Sequence, residues 1–240
     1  MTLELKRTLL ASLYRVYDET TRQYPTACRA GCHACCTRNV LCTTLEADLI
    51  MHYFEEKNRS DLVERIMTTP RQQIQRPTMT LNTLAGYCLR REEPPEQHMD
   101  CPIAPCPLLE DGKCPAYEVR PFACRCLWSK EICAENGEAC MDPVLVSLNG
   151  VFEQTIEHTD VGGLYGNFLD LLSVLASEQY RDGYRTGRPV QGTPHMLETE
   201  SNPGFLVPPV HRPTVTRALN SLWEQRIGKL SFREVLRQIR

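Results

Sequence analysis

No stretch of this sequence approaches the ~18 consecutive apolar residues that a membrane-crossing helix requires. The opening, MTLELKRTLLASLYRVYDETTRQYP, lacks the basic start, apolar run and small-residue cleavage site of a secretory signal, and it carries acidic residues early. Both absences point to the reducing cytoplasm, where disulfides do not persist, and away from a membrane partner. Strong charge of one sign is also missing. The net charge is −3 and no basic run is long, so nucleic acid is not an expected partner. Internal repeats are absent beyond two groups of cysteines. Cysteine itself is missing from the first 27 residues and from the last 100.

What the chain does have is 13 cysteines, all between positions 28 and 140. Cysteines scattered as small core residues would not respect such borders, so they mark one chemical unit. An odd number cannot pair completely within one chain. Thiols that are reduced, clustered and unpaired are available to a metal. The remaining composition, 42% apolar and 24% charged over 240 residues, is that of an ordinary globular protein.

Periodicity predicts a mainly α fold: a helical domain enclosing an irregular, cysteine-rich metal-binding region with at most a short β-hairpin. Residues 3–23 read as an amphipathic helix on Leu5, Leu9, Leu13 and Tyr17, ended by Pro25. Residues 44–57 read as a second, with Thr43 and Glu46 at capping-box spacing. Glu46 and Asp48 are taken as negative charge at a helix start rather than as an acid–base pair. A short helix follows Ser60, and residues 78–91 lean helical. From 92 to 143 proline and cysteine replace periodicity. That stretch is too long for a structureless loop in a compact domain, and a bound metal is the expected organiser. Within it, Asp111-Gly112 suggests a hairpin. Asp142-Pro143 is a helix start, and residues 143–159 and 164–182 read as two helices broken at DVGG, with Gly183 as a C-cap. Residues 186–213 form a Pro/Gly-rich strap, and Thr214 onward is helical, with a last capping box at Ser231 and Glu234. The chain therefore divides into an N-terminal helix packing on the core (1–27), a cysteine-cluster region (28–140) and a helical region (141–240) continuous with the same fold.

The first cysteine group, CRAGCHACC, places Cys28, Cys32, Cys35 and Cys36 within nine residues. The second comprises Cys106, Cys114, Cys124 and Cys133, with Cys101 nearby. Together they supply thiolates for one or two four-coordinate sites. Zinc takes four thiolates, or three and a histidine, at ~2.3 Å. Iron–sulfur clusters also use four cysteines, often with one preceding proline. Cys101, Cys106 and Cys114 each precede proline, which tips the expectation toward an iron–sulfur cluster, 4Fe–4S in type, over zinc. His33 reads first as a solvent-facing residue, and second as a fourth ligand. Adjacent side chains at Cys35-Cys36 point apart, so one of them faces a second metal or the core. A thiolate-bound ion carries net negative charge, and Arg120 and Arg125, flanking Cys124, are candidates to donate to its sulfurs. The alternative for either arginine is a surface ion pair with Glu110, Asp111 or Glu118. Trp128 either shields the site or packs in the core. His158, His195 and His211 are too dispersed to form a triad with a cysteine.

The order CRAGCHACC, CPLLEDGKCPAYEVRPFACR and a further Cys133 resembles the YkgJ-like cysteine-cluster family, of the CxxCxxCC type, whose domain is described as zinc- or iron-chelating. The resemblance covers roughly residues 28–133 and falls on Cys28, Cys32, Cys35, Cys36, Cys106, Cys114, Tyr117, Arg120, Pro121, Cys124, Arg125 and Cys133. It departs in the longer gap after Cys28, and it assigns no role to Cys42, Cys88, Cys101, Cys126 or Cys140. It implies a metal-binding protein in a structural, redox or sensory role, with an unidentified protein partner. Relatives of this pattern also resemble the front part of flagellin lysine methylases, which makes a protein-modifying enzyme the alternative, although no methyl-donor site is identifiable here and the chain is short for that activity. Metal storage or delivery through the surplus thiols is a third reading. Whether the protein is an enzyme stays open at this level.

Overall fold

The computed structural model describes residues 1–29, 31–96, 101–188 and 194–239. The fold is mainly α, with short antiparallel strands. Helix α1 (Leu3–Thr21) starts at a Thr2 cap. After the first cysteine loop come strand β1 (Leu41–Thr43) and α2 (Thr44–Glu56). At the start of α2 the Thr43–Glu46 capping box makes both of its bonds. Then follow α3 (Ser60–Thr68) and α4 (Leu81–Arg90). The cysteine-rich stretch holds single-turn elements: a 3₁₀ turn at Tyr117–Val119, α5 (Phe122–Arg125) and α6 (Cys133–Asn136). Helix α7 (Pro143–Thr159) begins on Asp142, whose side chain accepts from the Val144 N–H, with proline in the first turn.

The expected helix over 164–182 is corrected by the structure. Residues Leu164–Asn167 form strand β2, Phe168–Ala176 form α8, and after a break at Ser177 Glu178–Arg185 form α9, so Gly183 lies inside a helix rather than capping one. The strap contributes β3 (Leu197–Glu198), and part of it, 189–193, lies outside the described residues. The end of the chain is α10 (Arg212–Trp223), a hairpin of β4 (Arg226–Ile227) and β5 (Leu230–Ser231), and α11 (Phe232–Leu236) on the Ser231–Glu234 capping box.

β2 is the centre of a three-stranded sheet, antiparallel to β1 on one side and β3 on the other, with Leu41 opposite Asn167 and Leu164 opposite Glu198. Residues far apart in sequence are joined in this way at the exit of the first cysteine loop. The buried residues form two clusters. One joins α1, α7 and α10 through Leu9, Leu13, Tyr17, Leu148, Phe152 and Leu222, and includes Phe122. The other joins α2, α3 and α8 through Ile50, Phe54, Leu62, Leu169 and Leu172, and includes Leu108 and Ala116. The cysteine-rich stretch thus plugs into both clusters, Leu108 and Ala116 into one and Phe122 into the other. That anchoring replaces the long helices its prolines forbid.

Candidate metal centre

The first cysteine loop is held beside the second by main-chain bonds. Thr37 and Pro105 form an antiparallel bridge, the Cys106 N–H donates to the Cys36 carbonyl at 2.9 Å, and the Arg38 N–H donates to the Ala104 carbonyl at 3.0 Å. The entry of the loop is tied further along the chain, with the Ala27 N–H on the Ser129 carbonyl at 2.7 Å. The expected hairpin at Asp111-Gly112 is present: Glu110 and Lys113 bridge across it, and both central residues take positive φ, 49° and 73°. Glycine meets that demand without strain, and a Cβ on Gly112 would press on the His33 ring at 3.2 Å.

These connections draw Cys28, Cys32, Cys35, Cys36, Cys106, Cys114 and Cys124 around one cavity of about 180 Å³. Val40, Ile50, Leu108 and Phe168 supply an apolar wall, and Tyr117, Leu127 and Trp128 stand with them. Trp128 lines the cavity and also packs against the α1–α7 cluster. Cys133, the eighth candidate, lines a neighbouring cavity with Cys28, Cys32 and His33. All thirteen cysteines are free thiols. Cys36, partly exposed at the cavity, is not an ordinary core residue, whereas Cys42 and Cys126 are buried ones and Cys88 and Cys140 are exposed. Among the described residues, no three His, Cys, Asp or Glu side chains meet closely enough to hold an ion as they stand. The sulfurs surround a space rather than a point.

Contrary to the expected divergence, Cys35 and Cys36 line the same cavity, and their interaction raises the pKa of Cys35 and lowers that of Cys36. Burial pushes Cys106 up to about 11 and raises Cys114 and Cys124, and for Cys124 the neighbouring thiols Cys106, Cys114 and Cys35 add to the rise. Like charges in one cavity cannot all form without a cation among them. The donor set suits such a cation: soft thiols with no disulfide competing for them select zinc, copper(I) or iron–sulfur clusters.

The two arginines line the cavity and are held by partners outside the cysteine set. Arg125, buried, gives Nη1 to the Asp18 carboxylate at 2.6 Å and Nη2 to the Glu118 carbonyl at 2.9 Å, and it stacks on Tyr14 at 4.2 Å. Its Nε is buried without a partner, and the residue lines the cavity. Arg120 also lines the cavity, donates to the Tyr117 carbonyl at 2.7 Å and lies 3.9 Å from the centre of the Tyr117 ring. Burial, with Arg125 next to it, lowers the pKa of Arg120. The acidic partner of Arg125 is Asp18 of α1, not one of the three acids near it in sequence, and Glu110 pairs instead with Arg59 and Arg65.

Sequence reasoning missed the residue that seats the site. Glu46 is buried, and beyond its capping-box bonds to Thr43 its other oxygen accepts from Tyr14 Oη at 3.0 Å and from the Phe122 N–H at 2.7 Å. It therefore fixes the start of α5, two residues before Cys124. The capping box was the only local signal for it. Asp48, fully buried, accepts from Arg7 Nε at 2.8 Å and is a structural partner of α1 rather than a helix-end charge.

The fold and site together define a mainly helical protein built around a thiol-lined cavity. No family model, curated protein or solved structure matches the chain. Among the described residues, no helix is long and apolar enough to cross a membrane.

Proposed function

We propose that the protein is a metalloprotein of the YkgJ-like type whose thiol-lined cavity holds an inorganic centre, an iron–sulfur cluster in preference to zinc. The observation that carries this reading is the convergence of seven cysteines, from positions 28 to 124, on one cavity. A single Zn²⁺ with ~2.3 Å bonds needs its four sulfurs about 3.8 Å apart, the edge of a small tetrahedron. An iron–sulfur cluster bonds each cysteine to its own iron and spreads them around a larger body. A space of about 180 Å³ lined by seven thiols suits the larger body. Cys106, Cys114 and Cys124, packed against the apolar cluster of α2 and α8, would be its fixed ligands.

The test is anaerobic purification followed by metal and sulfide analysis and a visible spectrum. Stoichiometric iron and sulfide with broad visible charge-transfer absorption, lost in Cys114→Ser and Cys124→Ser, is the expected result. A colourless protein with stoichiometric zinc overturns the iron assignment. A metal-free protein with disulfides found by mass spectrometry overturns both. The exposure of Cys28, Cys32 and Cys35 favours one second reading, a labile metal store. That reading predicts variable metal content that weak chelators strip completely.

A further inference from the structure

We propose that the cavity between α4, α7 and the paired strands β1 and β2 binds a small primary alkylammonium ion, with the Glu153 carboxylate as its counter-charge. This cavity shares no lining residue with the thiol-lined one, so the proposal stands apart from the metal reading.

The space measures about 120 Å³. Leu41 and Tyr165 stand on one face of β1 and β2, because Thr43 lies opposite Tyr165 and side chains alternate along a strand. Pro77, Met79 and Leu84 add apolar wall, and Glu153 of α7 completes it. The start of α4 is fixed against α7. The Asn82 N–H donates to Glu157 Oε2 at 2.9 Å, and Gln154 Nε2 donates to Asn82 Oδ1 at 3.1 Å. The cavity is therefore built by elements already bonded to one another.

Among the described residues, Glu153 is the interior carboxylate that the fold leaves without a cation or a main-chain N–H. Glu46 and Glu157 accept from main-chain N–H groups, and Asp160 from one such group and from Lys6. Asp48 pairs with Arg7 and Asp170 with Arg76. Glu153 has the Tyr165 hydroxyl at 3.5 Å, and the charges acting on it, Glu46 from α2 and Glu157 from its own helix, are negative. Arg76 also lines the cavity, but its Nε donates to Asp170 at 2.9 Å. A half-buried carboxylate in an apolar pocket gains most from a ligand that brings its own cation. A primary ammonium offers three donors on a compact charge, and its alkyl tail covers the apolar wall. An apolar cavity of about 150 Å³ takes a benzene-sized molecule, so this one takes roughly five heavy atoms, the size of n-butylammonium.

The experiment titrates n-butylammonium chloride into the full-length, anaerobically purified protein and into Glu153→Gln and Leu84→Phe, by calorimetry and amide chemical-shift mapping. Butanol and butyrate serve as the neutral and anionic comparisons. The wild type should bind n-butylammonium at a single site, with shifts centred on Leu41, Met79 and Tyr165, and should bind butanol and butyrate more weakly. Glu153→Gln should weaken the ammonium at least ~10-fold and leave butanol unchanged. The Glu153 carboxyl titrates at about 7, with Glu46, Glu157, Tyr165 and Arg76 around it. Below that pH its proton must leave for solvent when the ion binds. Affinity should therefore rise by up to ~10-fold between about pH 6 and pH 8 in the wild type and stay level in Glu153→Gln, the amine remaining charged throughout. Leu84→Phe fills the cavity and should abolish binding; should it fail to fold, Glu153→Gln and the ligand comparison decide alone. The proposal is overturned by absence of n-butylammonium binding, by binding that Glu153→Gln leaves intact, by butanol or butyrate binding as tightly, or by shifts centred elsewhere.

Discussion

Glu46 shows how much one side chain decides. Its two oxygens hold the start of α2, the ring of Tyr14 on α1 and the main chain of α5. Burial raises its pKa, and the hydrogen bonds it accepts, that from Phe122 foremost, oppose the rise. Glu46→Ala leaves several buried donors without an acceptor, at about 1–3 kcal/mol each, so a loss of roughly 3 kcal/mol or more is expected. Thr43→Ala removes only the cap and should cost about 1 kcal/mol. Denaturant unfolding of the two variants checks the order. Glu153 behaves in the opposite way. Half-buried beside Glu46 and Glu157, and bonded only weakly by Tyr165 Oη at 3.5 Å, its carboxyl is pushed by desolvation from 4.5 to about 7. The folded state therefore favours the protonated acid. Between pH 4.5 and 7 the folded chain holds more protons than the unfolded one, so this group's contribution to stability declines as pH rises through that window. Glu153→Gln removes the titration. Its stability relative to wild type should grow from pH 5 to pH 8 by on the order of 2 kcal/mol and level off above, and a flat difference across melts at those pH values would refute this.

At the scale of elements, α5 is the joint between the cysteine-rich region and the core. A single turn has little stability of its own. Phe122 holds it by packing against Tyr17 at 4.8 Å, edge to face, and stacking on Phe152 at 6.3 Å. Phe122→Ala should cost about 3–5 kcal/mol and lower metal content with it, because Cys124 loses its support. Unfolding and metal analysis on the same sample would show whether the two fall together. The elements legible in the sequence were those with local causes: the capping boxes at Thr43 and Ser231, the Asp142-Pro143 start, and the turn at Asp111-Gly112. β2 was not legible. LYGN runs straight into the apolar FLDLLSVLA, and alone it reads as more of the same helix. Its pairing with Leu41–Thr43, over 120 residues earlier, leaves no mark in the local pattern.

In the whole molecule, the helices pack through two apolar clusters, while the cysteine loops over 31–37 and 101–140 are built from short turns and main-chain bonds rather than long helices. An ion that binds only the folded loops stabilises them by mass action. Removing it with a strong chelator under reducing, anaerobic conditions should lower the melting temperature. Limited proteolysis should then cut within those two stretches while the helical circular dichroism persists. Unchanged melting and cleavage would show that the loops do not depend on an ion. From the sequence alone came the helical class, the N-terminal caps and the turn at Asp111-Gly112, because each follows from residue type or short spacing. Only the tertiary structure decided which cysteines share a wall, that Cys133 stands apart beside His33, that Arg125 answers to Asp18, and that Glu46 seats α5. Those are contacts between residues far apart in the chain, created when two apolar clusters close, and no local pattern encodes where such a closure brings a side chain.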